Sequence, residues 1–373
     1  MKIDSLHFEN ENWILEEENE CDTNVVDIVF VFGLVKTLRE YNHTALLKKI
    51  YPNAQVVGIS TAGNIFDDSV SEYKAIASAV SFDSGYVKVN TAIMSEENLI
   101  EDASHLVDVF DKEDLKHIFV LGQPLGFDNS SLVKGLNLHK TCTISGAIAA
   151  DENMFEDCYV FANESQEDNV AVAIGFYGKS LSVSIGCKAG WEEFGAQRIV
   201  TKAKDHTIYE IDNKPALELY KRYLGEYIDD LPASGLLFPL SIGNNKKNEV
   251  IRVMTGINDD GSLNFAAGVE EGASVRLMKT NVENLIDGAS LVANTIEAQN
   301  NKRSLSLTIS CGGRLSVLKQ LAGEEIEAVH DILGDKSKVV GMYSHGEIAP
   351  FSDDLLDCQL HNQTMTITTL YED

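Results

Sequence analysis

Two ten-residue stretches near opposite ends of this chain align without a gap, and that match constrains the fold more than any other feature of the sequence. Val56-Val57-Gly58-Ile59-Ser60-Thr61-Ala62-Gly63-Asn64-Ile65 lies over Val339-Val340-Gly341-Met342-Tyr343-Ser344-His345-Gly346-Glu347-Ile348, sharing both valines, both glycines and the final isoleucine. Each stretch reads as a buried strand running into a turn of small residues. The flanks match too. Residues 27–32 form an apolar run; Leu46, Leu47 and Ile50 then share a helix face that Pro52 stops. Near the other end Leu305, Leu307 and Ile309 alternate as in a strand, and Ile326, Val329 and Leu333 mark a helix face with Gly334 as its cap. A weaker third copy runs from His117-Ile118-Phe119-Val120 through Leu132 and Leu136 to Ile144-Ser145-Gly146-Ala147.

Strand, helix, strand and glycine, repeated, predict an α/β fold of two related domains, each a β-sheet flanked by helices. The chain's 373 residues suit two domains at roughly 150 residues each. The expected division is an N-terminal segment over 1–26, a first domain over 27–195 and a second over 196–373, with a boundary between Trp191 and Asp205. Beyond it, Ala216, Leu217 and Tyr220 predict a helix. Residues 250–254 predict a strand, and Asp259-Asp260-Gly261 a turn that leads into a strand from Leu263.

A formal net charge of -28 disfavours phosphate backbones and anionic lipid, so neither nucleic acid nor a membrane is an expected partner. The opening residues hold no signal-peptide pattern, and no apolar run approaches the length of a membrane span. Six scattered cysteines without a Cys-x-x-Cys pair suit buried thiols in a reducing compartment, which points to the cytoplasm.

Signatures of catalysis are few. Gly58-Ile59-Ser60-Thr61-Ala62-Gly63 is not the spacing of a nucleophile elbow, and there is no phosphate loop and no His-Glu-x-x-His. Ser131-Leu132-Val133-Lys134 reads as part of an amphipathic helix, and an enzyme using Cys311 or Ser60 as nucleophile is the competing class. Two constellations stand out. Cys311-Gly312-Gly313-Arg314 follows a strand, where glycines admit close approach and Arg314 offers a planar fork to a carboxylate. Tyr343-Ser344-His345-Gly346-Glu347 follows another, and here His345 and Glu347 replace the Ala62 and Asn64 of the first copy. If the strands before them run parallel, both turns share one sheet edge. Cys311, Arg314, Tyr343, Ser344, His345 and Glu347 are therefore the expected ligand-pocket residues, while changes at Ala62 should leave binding intact.

Taken in order, these stretches resemble the FIST family. Residues 56–63 and 144–151, with Phe155, look like its N-terminal signature. Val200-Thr201, residues 213–217, Phe238-Pro239-Leu240, Cys311-Gly312-Gly313-Arg314, residues 341–348 and Asn362-Gln363-Thr364 are similar to its C-terminal domain. The chain departs from the family pattern at Ile59, Asn64 and His345, where Cys, Glu and often an aromatic residue usually stand. The resemblance implies a cytoplasmic sensor that is not an enzyme. It would bind a small ligand and signal to a separate partner such as a histidine kinase or a cyclic-di-GMP enzyme. One branch of the family consists of haem proteins that sense nitric oxide. For that branch His345 is the preferred ligand to the iron of haem b, ahead of His361 and His206. An amino acid or another small metabolite is the alternative ligand.

Overall fold

The computed structural model describes every residue except 17–19, 124–125, 140, 154–155, 166, 232, 244–248, 298–301, 352–354 and 373; Phe155 of the sequence signature thus lies outside the described residues. The expected mixed α/β fold is present, with the repeated strand–helix–strand units in place. Each copy contains a parallel strand pair. Ile28–Gly33 pairs with Gln55–Ser60, Leu115–Gly122 with Thr143–Ile148, and Ser304–Cys311 with Ser337–Ser344. An antiparallel strand flanks the first member of each pair: Ala75–Ser81, Val170–Tyr177 and Met365–Glu372 respectively. Three six-stranded sheets result, so the weaker copy, second in chain order, is a full structural equal of the other two.

The repeated glycine of each copy has a steric cause. Gly341 sits opposite Thr308 and Gly146 opposite Val120 in the parallel ladders. A Cβ at either glycine would collide with the carbonyl oxygen of that neighbour.

Alternation along the strands explains why they are buried on both faces. Phe30 and Phe32 turn into a core that also holds Phe119, Leu121 and Phe176 of the second sheet and Leu305, Leu307 and Val340 of the third. Their neighbours Val29 and Val31 turn outward, against Leu38, Leu47 and Tyr51. Helices Leu99–Asp108 and Asn129–Leu136 cover the second sheet, and Val282–Glu297 and Ala322–Leu333 cover the third. Gly334, at φ 73°, ends the last of these as expected.

The copies also exchange strands in a cycle. Asn64–Phe66, which follows the first parallel pair, joins the third sheet beside Ser337–Ser344. Gly346–Pro350, which follows the third pair, joins the second sheet beside Thr143–Ile148. Val160–Ala162, which follows the second pair, joins the first sheet beside Gln55–Ser60. Residues 1–26, expected as a leading segment, contribute the strands Lys2–Glu9 and Asn12–Leu15 to the first sheet.

Between the second and third copies, residues 192–279 form a separate nine-stranded sheet with helix Ala216–Leu224 on it. The predicted hairpin is there, pairing Met254–Ile257 with Leu263–Phe265. The predicted strand over 250–254 is broken at Val253 into Val250–Arg252 and Met254–Ile257. No helix among the described residues is long and apolar enough to cross a membrane.

Candidate functional site

The three turns that leave the parallel pairs meet at the centre of the molecule. The Ala62 amide donates to the Tyr343 carbonyl at 3.0 Å, the Ala150 amide to Ser60 at 2.9 Å and the His345 amide to Ile148 at 3.3 Å. Each bond joins equivalent positions of two copies, so backbone geometry repeats while the side chains set upon it differ.

The strands ending at Cys311 and Ser344 run parallel and finish side by side, as expected. The six sequence-selected residues nevertheless divide into separate environments. Arg314 lies in the first turn of helix Gly312–Leu318 and is fully buried. Its Nε donates to Glu325 Oε1 at 2.9 Å, Nη1 to the Ala189 carbonyl at 2.6 Å and Nη2 to the Leu285 carbonyl at 2.8 Å, with a second contact to Glu325. Tyr343 and Ser310 donate to the other Glu325 oxygen at 3.0 and 3.1 Å. All three nitrogens of this guanidinium have protein partners, which departs from the expectation that Arg314 is held ready for a ligand carboxylate. Gly313 is small because a Cβ there would strike the Gln363 side chain.

Glu347 is equally buried, and accepts from the Ser344 hydroxyl at 2.9 Å and from the Thr364 amide and hydroxyl at 3.0 and 2.7 Å. Burial pushes its pKa up to about 7, against these hydrogen bonds and the more distant charge of Arg314. Cys311 is buried with its thiol pushed far up. These buried residues brace the turn from inside and are not among those that line the cleft at His345, a second departure from the expected pocket.

Of the six, five are buried and His345 is half-buried. It lines a cleft of about 290 Å³ together with Gln123, Phe127, Ile148, Ala149 and Cys158, opposite His206, Thr255 and Phe265 of the 192–279 unit. Its Nε2 lies 2.7 Å from Asp151 Oδ1 and 3.3 Å from the Asp151 amide. Burial lowers the His345 pKa, with Asp151 opposing, so the ring is neutral near pH 7. One atom each from Asp151, Cys158 and His345 lie within 4.8 Å of one another.

These residues do not fit haem. A haem iron takes its protein ligands along one axis, whereas here one atom each of a carboxylate, a thiol and an imidazole crowd within 4.8 Å of one another. At about 290 Å³ the cleft is at the small end of ligand pockets, which run to roughly 1,000 Å³. His361, the second candidate, is buried with Nε2 3.0 Å from the Ala349 carbonyl, and His206 is exposed.

A second, larger cleft of about 700 Å³ adjoins the first, and Asp128 lines both. One wall is helix Asn129–Leu136 of the second copy, and the other comes from the 192–279 unit, tied across where the Gly268 amide donates to Ser130 at 3.0 Å. Arg252 lines this cleft and is only 6% exposed, yet its Nε has no partner. Its Nη1 donates to the Leu360 and Ile251 carbonyls at 2.8 and 3.1 Å. No carboxylate among the described residues pairs with it. Desolvation pulls its pKa down to about 10, and Asp128 offers only a distant opposing charge. A buried guanidinium without an anion is costly unless something else supplies one. Lys134 and Lys204 line the same cleft, and so do the carboxylates of Asp128, Asp205 and Glu270. The sequence carried a signal here: residues 250–254 place a lone charge inside an apolar strand.

Comparison with known proteins comes at two levels. Residues 27–214 match the FIST N domain and residues 216–350 the FIST C domain. An uncharacterised protein of Methanocaldococcus jannaschii is 28% identical over 209 residues, a match covering 52% of this chain and 39% of that one. The chain thus spans about two-fifths of the length of that relative. Among solved structures, the cyanuric acid hydrolase of A. caulinodans aligns with a TM-score of 0.37 at 7% identity, over 93% of this chain and 90% of that one. A second cyanuric acid hydrolase structure gives 0.35 at 8% identity, over 95% and 93%. Scores this low carry no argument.

Proposed function

We propose that this chain, which belongs to the FIST family, is a sensor that binds an amino-acid-like zwitterion in the larger cleft and reports it to a partner protein. FIST domains are small-ligand-sensing modules, which frames the reading. The observation that carries it is Arg252, a buried guanidinium with an orphaned Nε and no carboxylate, on the wall of a cleft of about 700 Å³. A ligand carboxylate would supply the missing anion, and Asp128, Asp205 or Glu270 would receive an ammonium.

The reading assigns no catalytic step. Ser60 is fully buried and accepts the Tyr159 amide at 2.9 Å, and Cys311 is buried with its thiol pushed far up, which supports a binding role over either alternative nucleophile. Because the cleft lies between the 192–279 unit and the second copy, a ligand touching both walls favours one spacing of the two. That spacing is the signal we assign to a separate partner such as a histidine kinase or a cyclic-di-GMP enzyme.

The test is thermal unfolding in the presence of an amino-acid panel, with the matching amines and carboxylic acids as controls and haemin as a separate arm. A ligand at a hundredfold excess over its Kd stabilises by about 2.7 kcal/mol, which is easily read as a rise in Tm. The expected result is a rise with one or a few amino acids and none with analogues lacking either charged group. Stabilisation by haemin with a Soret band and no response to any amino acid defeats the reading.

A further inference from the structure

We propose that Asp151, Cys158 and His345 bind one divalent transition-metal ion of the zinc class at the edge of the smaller cleft, with Gln123 or a water as the fourth ligand. The site is distinct from the one built on Arg252 and stands without it.

Three features of the structure support it. The first is convergence. A single donor atom from each of the three residues lies within 4.8 Å of the other two, although His345 comes from a different copy than Asp151 and Cys158, which share the loop between Thr143–Ile148 and Val160–Ala162. In a nucleophile–histidine–acid relay the acid and the nucleophile use opposite ring nitrogens. Here one ring nitrogen faces both partners, which is the arrangement of a shared centre. A tetrahedral zinc site with bonds of about 2.1 Å sets its nitrogen and oxygen ligands roughly 3.4 Å apart. The 2.7 Å hydrogen bond between His345 and Asp151 therefore needs to open by only about 0.7 Å.

The second is support from the residues around the ligands. The outer oxygen of Asp151 accepts the Glu156 amide at 2.9 Å and the Asp157 amide at 3.3 Å, which leaves Oδ1 directed at His345. Carboxylates held in this way are the usual companions of metal ligands. The Cys158 carbonyl is anchored by Gln123 Nε2 at 2.9 Å, which fixes the loop carrying the thiol.

The third is independent of the cluster. Gln123 is 4% exposed, lines the same cleft as Cys158 and His345, and has an Oε1 without a partner. A buried amide oxygen left unsatisfied in the cleft that Cys158 and His345 line lacks one electropositive neighbour, and a metal ion is such a neighbour. The mixture of thiolate, imidazole and carboxylate selects zinc, cobalt or a similar ion over magnesium and calcium, which prefer oxygen alone.

Without metal the thiol is protonated, since burial and Asp151 push it up to about 12, and it donates to the Ala149 carbonyl at 3.4 Å. Binding then exchanges the thiol proton for the metal: Cys–SH and M²⁺ give Cys–S–M and one released proton, with no change of oxidation state.

The test is titration of chelator-treated full-length protein with cobalt(II), followed by zinc(II). Wild type should take one equivalent, show a thiolate-to-cobalt charge-transfer band in the near ultraviolet together with tetrahedral visible bands, and lose both to zinc. The near-isosteric Cys158→Ser and the variant His345→Asn should each lose the charge-transfer band or weaken cobalt binding beyond the roughly 10–100-fold that removal of an outer-shell partner costs. Arg252→Met and Cys311→Ala should titrate like wild type, and a changed Arg252→Met titration would show that the two clefts are one site and overturn the separation argued here. Absence of the charge-transfer band in wild type overturns the proposal whatever the variants do. So does an undiminished band in folded Cys158→Ser.

Discussion

Two buried arginines, one under the third turn and one in the 192–279 unit, show how differently two regions of this molecule use the same group. Arg314 sits under the third turn with a carboxylate, two carbonyls and helix Ala322–Leu333 closing round it. Arg252 sits in the wall of a cleft with two carbonyls, an orphaned Nε and, among the described residues, no acid paired with it. Both are hidden from bulk water, so burial alone does not separate a structural charge from a binding one. What separates them is whether the protein itself completes the charge. A saturated guanidinium has nothing left to offer a ligand, whereas an unsaturated one pays a standing desolvation cost that a ligand can relieve.

The largest effect should come from the saturated side. Arg314→Ala leaves Glu325 charged, buried and stripped of its partner, so it should cost about 3–5 kcal/mol of unfolding free energy. Urea denaturation of wild type and variant measures it. A cost under about 1 kcal/mol would remove the distinction between the two arginines.

The next effect depends on pH. Burial raises the Glu347 pKa to about 7 from 4.5, and its hydrogen bonds and the charge of Arg314, which Glu325 engages, only partly oppose that. A raised folded-state pKa means that the folded protein binds the proton more tightly. The contribution is complete below pH 4.5 and is lost as pH rises through about 7. The span corresponds to about 3 kcal/mol. Glu347→Gln reproduces the neutral Asn64 of the first copy and should remove this term. The stability difference, wild type minus variant, should therefore fall between pH 4.5 and 8, as followed by urea unfolding at several pH values. A difference independent of pH would show that Glu347 is ionised throughout.

A smaller change is expected at the unsaturated arginine. Arg252→Met removes a charge that lacks an anion, so the ligand-free protein should stay within about 1 kcal/mol of wild type. A loss as large as that for Arg314 would mean that Arg252 is paired after all. The smallest effect belongs to Ala62, which occupies the His345 position of the first copy. Ala62→Ser should shift stability by no more than about 0.5 kcal/mol and leave amino-acid and cobalt titrations unchanged.

Much of the architecture was legible in the sequence, because strand alternation, helix faces and the repeated glycines are local signals. Strand exchange was not. Asn64–Phe66 is three residues long and pairs with a strand at the far end of the chain, which no local pattern encodes. At the site, comparison of the copies singled out His345 because Ala62 stands in its place. The same reading favoured Arg314 from its glycine-flanked motif, since sequence alone does not show that Glu325 folds back onto it. Asp151 lay within a recognised stretch and shares its loop with Cys158, but their meeting with His345 arises only where turns of different copies touch.

The most direct measurement is isothermal titration of wild type and Arg252→Met with the amino-acid panel. The account predicts one molecule bound per chain of wild type. It also predicts a loss in Arg252→Met of about 2–3 kcal/mol, on the order of a hundredfold in Kd, because a charge-assisted bond to the carboxylate is gone. Equal affinities in the two folded proteins, or binding lost in neither Arg252→Met nor the charge-deleted analogues, would contradict it.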